Sequence, residues 1–392
     1  MALKYLYVPS GYKAGTAYGV LPNDSSADFD EFARDTIATR INADGLVETM
    51  ATNVPRLDYT DGSCPALLTE PESNNRVKYS EDFGQWLTTV SGTGVAPVIS
   101  TGFSAPDGSS NARKIVFDKG AGSTSSDICF IKDSYPSAVD IFTQTVWMRT
   151  ESGTAKVLMD FNSANSNEVV VTTTWQRMTL TKSSTFTSNK EFRIGLRGGS
   201  STVDSATILV WGAQLEKQPY ATAYIRNNGN VGGVTRSVDR ANFAGNFEFN
   251  GFEGVLEARF KAVPMSIPSS RITLAADSGN RIVLGYLGGA NDPVPYLLII
   301  SSLSADEDAR IIMPSSFNLF DYNTYKLKFK SGNNELKING ELVDTNDDFK
   351  THTFAFGSAL RTISLNNFGT STSRLFYGGI KHIKVYDSIT DF

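Results

Sequence analysis

Apolar and polar residues alternate with a period of two through most of the chain, and clusters of Ser, Gly and Asn interrupt the alternation. Residues 140–149, DIFTQTVWMR, and residues 325–330, YKLKFK, are clear examples. Successive side chains of a β-strand point to opposite faces of a sheet, so this pattern predicts antiparallel strands with one buried face. The sequence therefore predicts an all-β protein, built as an extended N-terminal arm followed by two antiparallel jelly-roll β-sandwiches.

Changes in composition set the boundaries between these parts. Residues 75–225 carry the first set of alternating segments and are predicted to form the first sandwich. Residues 226–240, RNNGNVGGVTRSVDR, are rich in Gly and Asn and are predicted to be a linker. Residues 241–392 are predicted to form the second sandwich, in which Asn339 and Gly340 indicate a tight hairpin.

The N-terminal stretch has a different character from both predicted sandwiches. Residues 34–74 contain no long apolar run and no helical period. Turn-forming pairs at residues 44–45 and 61–62, both Asp-Gly, divide this stretch into short extended pieces. Such a stretch cannot bury enough apolar surface to fold alone. We therefore expect residues 1–74 to form an extended segment that lies along something larger.

An ordered motif also runs through residues 38–59. The pattern ATRxNxxGLxE followed by VPRLDYT resembles the N-terminal segment of a family of bacteriophage virion proteins. These are fibre or appendage subunits that carry lectin-like β-sandwich modules behind this segment. The resemblance implies that residues 1–74 dock the chain to a virion or mediate its oligomerisation. The residues to which it assigns docking are Arg40, Asn42, Arg56, Asp58 and Tyr59.

Two stretches further along the chain resemble known sandwich modules. Residues 76–86, RVKYSEDFGQW, resemble the start of carbohydrate-binding-module-like jelly rolls. Residues 378–387, GGIKHIKVYD, resemble the last strand of laminin-G or concanavalin-like sandwiches. Both resemblances imply a surface that binds glycans.

The four tryptophans are the first place to look for such a surface, because sugars stack their apolar faces on aromatic rings. Trp175 and Trp211 lie within alternating strands and are expected in the core. Trp86 follows a turn, and Trp147 is followed at once by Met-Arg-Thr. Trp86 and Trp147 are therefore the candidate carbohydrate-binding residues.

Charge and composition argue against several classes of partner. The net charge is −5 and the Lys and Arg residues are scattered along the sequence, which argues against nucleic acid as a partner. No apolar stretch reaches the length of about 18 residues that a membrane span needs, so no membrane insertion is expected. The start of the chain, MALKYLYVPSG, is too polar for a signal peptide. We therefore expect assembly in the host cytoplasm and a location in the virion.

The residues needed for catalysis are not found at suitable spacing. Lectin-fold glucanases place carboxylates on one strand face as ExDxxE, whereas Glu253 and Glu257 have a different spacing and no Asp between them. His352 and His382 lie in strand-like settings and are expected to be ordinary strand residues. The chain is therefore predicted not to be an enzyme. In a reducing compartment Cys64 and Cys129 are expected to be free thiols.

No cofactor is expected, although calcium is an alternative because two loops are rich in hard oxygen ligands. Acidic loop residues between strands are more often simply solvated. The two clusters are Asp306, Glu307 and Asp308, and Asp344, Asn346, Asp347 and Asp348.

Three functional hypotheses follow from the sequence. The first is a non-enzymatic component of a phage virion, a head or tail fibre or appendage, whose sandwiches adhere to host-surface glycans. Its partners would be other virion proteins and further copies of itself, and fibres of this kind suggest a homotrimer. The second is a purely architectural capsid or tail decoration protein, and the third is a glycan depolymerase.

Overall fold

The computed structural model describes residues 3–13, 16–21, 29, 32–135, 140–161, 167–184, 190–241, 252–263, 270–277, 279–287, 294–300, 309–312, 317–343, 347–356, 359–366, 374–390 and 392. Nearly all regular structure in these ranges is β-strand, so the predicted all-β sandwich class is confirmed. One α-helix is described, the short α1 (Asp347–Thr351).

The strands are numbered in chain order. The first group is β1 (Leu3–Lys13), β2 (Thr16–Leu21), β3 (Ala38–Ile41), β4 (Val47–Met50), β5 (Arg56–Asp58), β6 (Ala66–Thr69) and β7 (Ser73–Asn75). The second group is β8 (Leu87–Ser91), β9 (Val95–Phe103), β10 (Ala112–Asp118), β11 (Ile128–Tyr135), β12 (Asp140–Arg149), β13 (Ala155–Phe161), β14 (Asn167–Val171), β15 (Gln176–Ser184), β16 (Lys190–Arg197) and β17 (Ser205–Glu216). The third group is β18 (Val234–Arg236), β19 (Glu253–Ala262), β20 (Ser270–Asp277), β21 (Asn280–Leu287), β22 (Val294–Ile300), β23 (Ala309–Ile312), β24 (Asn323–Lys330), β25 (Glu335–Ile338), β26 (Glu341–Leu342), β27 (Thr362–Ser364) and β28 (Gly378–Tyr386).

The chain divides into two compact units. The first unit comprises Met1–Gly45, Met50–Pro71 and Ser237–Phe392, and the second comprises Leu46–Thr49 and Glu72–Arg236. The second unit is thus largely an insertion within the sequence of the first.

The first unit is a sandwich of two antiparallel sheets. In the larger sheet the strands run in the order β2-β1-β28-β19-β24-β25-β26, and β6 pairs with both β28 and β5. The smaller sheet has the order β23-β22-β21-β20-β27. Leu256 and Leu327 from the larger sheet and Ile272 and Leu284 from the smaller one belong to the same buried cluster. Packing of apolar side chains between the two sheets therefore stabilises this unit.

The second unit is also an antiparallel sandwich. Its two sheets have the orders β15-β12-β17-β10-β9 and β14-β13-β16-β11-β8. Along β12 the alternate residues Phe142, Val146 and Met148 are buried in the core, as the period of two predicts. The short strands β7 and β18 pair with each other.

The observed units differ from the predicted boundaries in the N-terminal segment. Strand β1 pairs with β2 and β28, so it is part of a sheet and does not form a separate arm. The reason is the spacing of its aromatic residues, because Tyr5 and Tyr7 are two positions apart and are both buried in the core of the first unit. The predicted extended arm 1–74 therefore supplies strands β1, β2, β5 and β6 to the larger sheet of the first unit.

The predicted linker 226–240 is likewise part of the folded units. Residues 234–236 form β18, and Asp239 is 1% exposed. The composition of this stretch predicted a linker because it is poor in apolar residues, but Asp239 is held by charged partners that are distant in sequence.

Two further expectations concern cysteines and membranes. In the described ranges Cys64 is exposed, Cys129 is buried, and neither forms a disulfide. No helix among the described residues is both long and apolar enough to cross a bilayer.

Candidate functional site

Trp147 does not offer a ring for sugar stacking. Its side chain is 7% exposed and packs edge-on against Trp211 and Tyr224, with ring centroids 5.3 and 5.5 Å away. The guanidinium of Arg177 lies 4.6 Å from the centre of the Trp147 ring. Trp147 points away from the core of the sandwich, but these neighbours cover it. Its predicted role in carbohydrate binding is therefore corrected to a structural one.

Trp86 is buried as well. It follows a short 3-10 turn, Phe83–Gln85, and its ring packs against Phe83 at 4.9 Å and Phe192 at 5.4 Å. Its indole Nε1 donates a hydrogen bond to the carbonyl of Tyr79 at 2.9 Å. The turn directs the ring into the core, so the prediction of an exposed Trp86 is also corrected. Trp175, expected in the core, is instead partly exposed.

The motif residue Arg56 belongs to a buried ion-pair network of the first unit. Its guanidinium donates to Glu70 Oε2 at 2.7 Å and to Asp239 Oδ2, and Arg34 Nη1 donates to Asp239 Oδ1 at 3.1 Å. Burial acts to lower the pKa of Arg56, but the charges of Asp239 and Glu70 raise it above its ordinary value. Arg56 is fully buried, so it offers no docking surface.

The other predicted docking residues are half-buried and fasten local turns. Asp58 Oδ2 accepts a hydrogen bond from the backbone N–H of Ile41 at 2.8 Å, and Tyr59 N–H donates to the Ile41 carbonyl at 3.0 Å. Arg40 Nη1 donates to a backbone carbonyl of β5 at 3.2 Å, and Asn42 Oδ1 accepts from a backbone N–H at 3.0 Å. Their part in virion docking stays a prediction.

The two acidic clusters that were considered as calcium ligands lie largely outside the described residues. Residues 306–308, 344 and 346 lie outside the described residues, as do the side chains of Asp347 and Asp348. Within the described ranges, no group of three or more Asp, Glu, His or Cys side chains is arranged to hold a metal ion.

A polar cleft of about 190 Å³ lies in the second unit. It is formed where β7 and the residue after it meet the turn that follows β17. The residues that line it are Glu72, Ser73, Asn74, Arg76, Lys217 and Gln218. Carboxylate, amide, guanidinium, ammonium and hydroxyl groups thus line a space that is open to solvent, and all of them can form hydrogen bonds with a ligand hydroxyl.

The buried carboxylate of Glu216 fixes the polar lining of this cleft. Its Oε1 accepts hydrogen bonds from Ser73 Oγ at 2.6 Å and from Gln218 Nε2 at 3.0 Å. Thr222 adds a bond from its hydroxyl to Oε1 at 2.5 Å and one from its backbone N–H to Oε2 at 3.0 Å. Two lining residues are therefore held in place before any ligand arrives, which lowers the entropy lost on binding.

Two cationic side chains stand in the lining. Lys217 Nζ pairs with Asp140 Oδ2 at 2.7 Å, and this hydrogen bond lowers the pKa of Asp140 below its ordinary value. Among the described residues no carboxylate lies within ion-pair distance of Arg76, and its buried Nε has no hydrogen-bond partner. Arg76 thus retains donors for a ligand.

A second candidate surface is the outward face of the larger sheet of the first unit. Alternation places Tyr325, Leu327 and Phe329 in the core, so the lysines between them point outward. We call this surface the lysine face. Charged side chains on this face form ion pairs, Lys328 with Glu335, Lys330 with Glu253, Lys384 with Glu257 and Lys261 with Asp61.

Glu257 on this face makes stability depend on pH. It accepts a hydrogen bond from Lys384 at 2.7 Å and lies 3.0 Å from His382 Nε2. Burial acts to raise the pKa of Glu257, but His382 and Lys384 lower it from 4.5 to about 2. A carboxylate with a lowered folded-state pKa stabilises the fold above its unfolded pKa, and this contribution is lost as the pH falls through the folded value.

We therefore expect Glu257→Gln to be less stable than the wild type at pH 7 by about 1 kcal/mol, since the site is partly solvated. The difference should shrink between about pH 5 and pH 2 as the wild-type carboxylate takes up its proton. Urea denaturation at a series of pH values measures it. Glu341→Gln, at an exposed position on β26, is the control. If both variants followed the same pH profile, the assignment to Glu257 would be wrong.

The cleft and the lysine face were both missed from the sequence. Ser73 and Glu216 are 143 residues apart, so no local pattern connects the two sides of the cleft. The alternating lysines of β24 were visible, but their neighbours come from strands paired with β24 through the fold.

No protein-family model matches the chain, and no curated protein matches its sequence. Among solved structures, the chain is similar to the CBM40 of the Ruminococcus gnavus IT-sialidase bound to alpha2,3 sialyllactose. The identity is 15% and the TM-score 0.28, over 35% of this chain and 77% of that chain.

Two other structures show comparable similarity. The laminarinase catalytic domain from Thermotoga maritima has 17% identity and a TM-score of 0.24, over 40% of this chain and 72% of that chain. Domains LG4-5 of the mouse laminin alpha1 chain have 10% identity and a TM-score of 0.25, over 76% of this chain and 92% of that chain. The description of the fold rests on the sheets of the chain itself.

Proposed function

We propose that the chain is a non-enzymatic component of a phage virion that adheres to surface glycans through the cleft of its second unit. The proposal that the chain binds glycans rests on this cleft. Its volume of about 190 Å³ is below the roughly 300–1,000 Å³ of sites for drug-sized ligands, and suits one sugar residue of a longer chain.

The chemistry of the lining suits a sugar. Ser73 and Gln218 are oriented by Glu216, and Asn74 Nδ2 donates to Thr235 at 3.0 Å, which leaves its amide oxygen to accept from a ligand hydroxyl. Planar amide and guanidinium groups can bind two neighbouring hydroxyls at once. Recognition here would rest on hydrogen bonds, since the cleft has no aromatic lining residue among those described.

The virion part of the proposal rests on the motif in residues 38–59. The particle itself provides the test, namely a map of the phage in which this chain is traced against its neighbours. Deleting residues 1–74 is a poor substitute, because it removes strands β1, β2, β5 and β6 from the first unit and so tests folding. Absence of the chain from purified particles would overturn this part.

Glycan binding is tested with the intact protein on a glycan array, followed by titration of the best ligand. We expect Arg76→Ala and Asn74→Ala each to weaken binding about tenfold or more, because each removes hydrogen bonds made in the cleft. Lys156→Ala, at a partly exposed position of β13 in the same unit, should bind as the wild type does.

The thermal midpoints of the three variants should match the wild type, which separates a binding defect from unfolding. If the wild-type protein bound no glycan, or if the cleft variants bound normally, adhesion through this site would be excluded.

An architectural role is the second candidate, because the edge strands β8 and β9 of the second unit are unusually exposed and apolar. Leu87 and Val90 on β8 are 60% and 38% exposed, and Val95 and Val98 on β9 are 56% and 60% exposed. Exposed apolar edge strands are typical of contacts between proteins. A particle map in which neighbouring subunits cover these strands and close the cleft would favour this alternative.

A further inference from the structure

The sequence Trp-x-Arg occurs twice in the second unit, at residues 147–149 and 175–177. The first occurrence ends β12, and the second begins one residue before β15. These strands are antiparallel neighbours, and Trp147 lies directly opposite Arg177. Two positions further along the same face, the guanidinium of Arg149 lies 5.3 Å from the centre of the Trp175 ring. Each tryptophan therefore has the arginine of the other occurrence beside it.

The pair of Trp147 and Arg177 is covered by the protein itself. Trp147 is 7% exposed, and the ring of Tyr224 packs against it. The guanidinium of Arg177 donates to the carbonyl of Thr222 at 2.7 Å and to the hydroxyl of Thr145 at 3.0 Å. In this pair an apolar surface covers the indole and neutral oxygens accept from the arginine. A sugar offers the same two kinds of contact, through its apolar face and its hydroxyls.

The pair of Trp175 and Arg149 lacks such a cover, and we call it the open pair. Trp175 is partly exposed, whereas the other three tryptophans are at most 7% exposed. Within the described ranges no residue accepts a hydrogen bond from the partly exposed Arg149, and its Nε has no partner. Glu151, the carboxylate two residues further along the chain, pairs with Lys114 instead. The open pair thus presents part of an indole ring beside guanidinium donors that no described residue uses.

The backbone around Trp175 is fixed before any ligand arrives. The N–H of Thr150 donates to the carbonyl of Thr172 at 2.7 Å, which ties the turn between β14 and β15 to the end of β12. The hydroxyl of Thr172 donates to Oε1 of Gln176 at 3.1 Å, on the other side of the tryptophan. A ring carried by a fastened turn loses little entropy when a ligand binds to it.

We propose that the open pair binds a sugar ring. The apolar face of the sugar contacts the exposed part of Trp175, and its hydroxyls accept hydrogen bonds from Arg149, as the Thr145 hydroxyl does from Arg177.

The open pair is separate from the polar cleft of the same unit. The cleft lies near the start of β12, where Asp140 pairs with Lys217 of its lining. The open pair lies at the other end of this strand, which is 10 residues long, so the two sites are about 30 Å apart. The proposal therefore goes beyond the adhesion site described above and does not depend on it.

The test follows the tryptophan fluorescence of the intact protein and its quenching by acrylamide. Trp175 is the most exposed of the four tryptophans, so it should account for most of the quenching. The probes are cellohexaose, chitohexaose and mannohexaose, with sorbitol as a polyol that has no ring. We expect at least one hexasaccharide to protect the fluorescence from acrylamide, and sorbitol to give no protection, because it has no ring face to stack on the indole.

Variants of the open pair assign the effect to its residues. Trp175→Ala should weaken binding of the protecting hexasaccharide about tenfold or more, measured by calorimetry. Trp175→Phe should keep most of the binding, since it keeps an aromatic face, but should lose the protection from acrylamide. Arg149→Gln should also weaken binding about tenfold, because it removes the guanidinium donors. The control Lys156→Gln removes a positive charge from the other sheet of the unit and should bind normally.

The cleft variant Asn74→Ala separates this site from the adhesion site, because it should leave the protection from acrylamide unchanged. If instead Asn74→Ala abolished the protection while Arg149→Gln kept it, the sugar would bind in the cleft and the present proposal would be wrong. Normal binding by Asn74→Ala and Arg76→Ala, with loss in Trp175→Ala, would exclude the cleft and support the open pair.

Two further results would overturn the proposal. One is that none of the three hexasaccharides protects the fluorescence, and the other is that Trp175→Ala and Arg149→Gln bind as the wild type does. The thermal midpoints of Trp175→Phe and Arg149→Gln should match the wild type, so that a loss of binding or of protection is not due to unfolding.

Discussion

Replacing Asp239 with Ala should destabilise the first unit by about 3–5 kcal/mol, the largest effect expected of any single charge change in the described chain. Asp239 is 1% exposed and pairs with both Arg34 and Arg56, which are themselves buried. Its removal takes a carboxylate partner from two buried guanidinium groups, of which Arg56 keeps its pair with Glu70. An uncompensated buried charge is costly because water can no longer solvate it.

Chemical denaturation, followed by fluorescence and circular dichroism, measures this loss. The matched control is Asp61→Ala, which breaks an ion pair with Lys261 in the same unit. That pair is more than a quarter exposed on each side, so its loss should cost no more than about 1 kcal/mol. Equal costs for the two variants would show that the buried network contributes little to stability.

Replacing Trp211 with Ala should destabilise the second unit by about 3–5 kcal/mol, as expected when a large buried ring is truncated. Trp211 is 1% exposed, packs on Trp147 and Tyr224, and donates its indole N–H to Asn111 Oδ1 at 2.8 Å. The variant leaves a cavity and removes one of the two hydrogen bonds that Asn111 Oδ1 accepts, the other coming from the Ser109 hydroxyl. Thermal unfolding of the intact protein measures the effect.

The control for Trp211→Ala is Val98→Ala, on an exposed edge strand of the same unit, where the change should stay within about 0.5 kcal/mol. Glycan binding, measured well below the midpoint of each variant, should be unchanged in both. Trp147, Trp211 and Tyr224 pack against one another. If Trp211→Ala or Trp147→Ala lost glycan binding but kept its thermal midpoint, these rings would form a sugar-binding surface.

The sequence was sufficient to predict the strands because alternation is a local property. In β24 the three lysines and three apolar residues of YKLKFK alternate, and the structure has the apolar set buried. The hairpin at Asn339 and Gly340 was predictable for the same reason. Both residues have positive φ, 52° and 90°, as a type I′ turn requires.

The surroundings of the predicted binding residues could not be predicted from the sequence. Alternation with a period of two shows which face of a sheet a side chain lies on, but it does not show which other residues cover that face. Trp147 points away from the core, as an exposed ring would, yet Tyr224, 77 positions later in the sequence, packs against it. The cleft and the ion-pair network likewise join residues that are far apart, such as Arg56 and Asp239, which are 183 residues apart. Only the folded chain brings such residues together.

The contacts between Glu70 and Asp239 join the two points at which the chain leaves the first unit and returns to it. Each donates its backbone N–H to the other residue, Glu70 to a side-chain oxygen of Asp239 at 2.9 Å and Asp239 to the Glu70 carbonyl at 3.0 Å. The chain therefore leaves the first unit and returns to it at neighbouring points. The long insertion Glu72–Arg236 therefore begins and ends beside one hydrogen-bonded pair of the first unit, so the first unit can keep this pair whatever the length of the chain between its two residues.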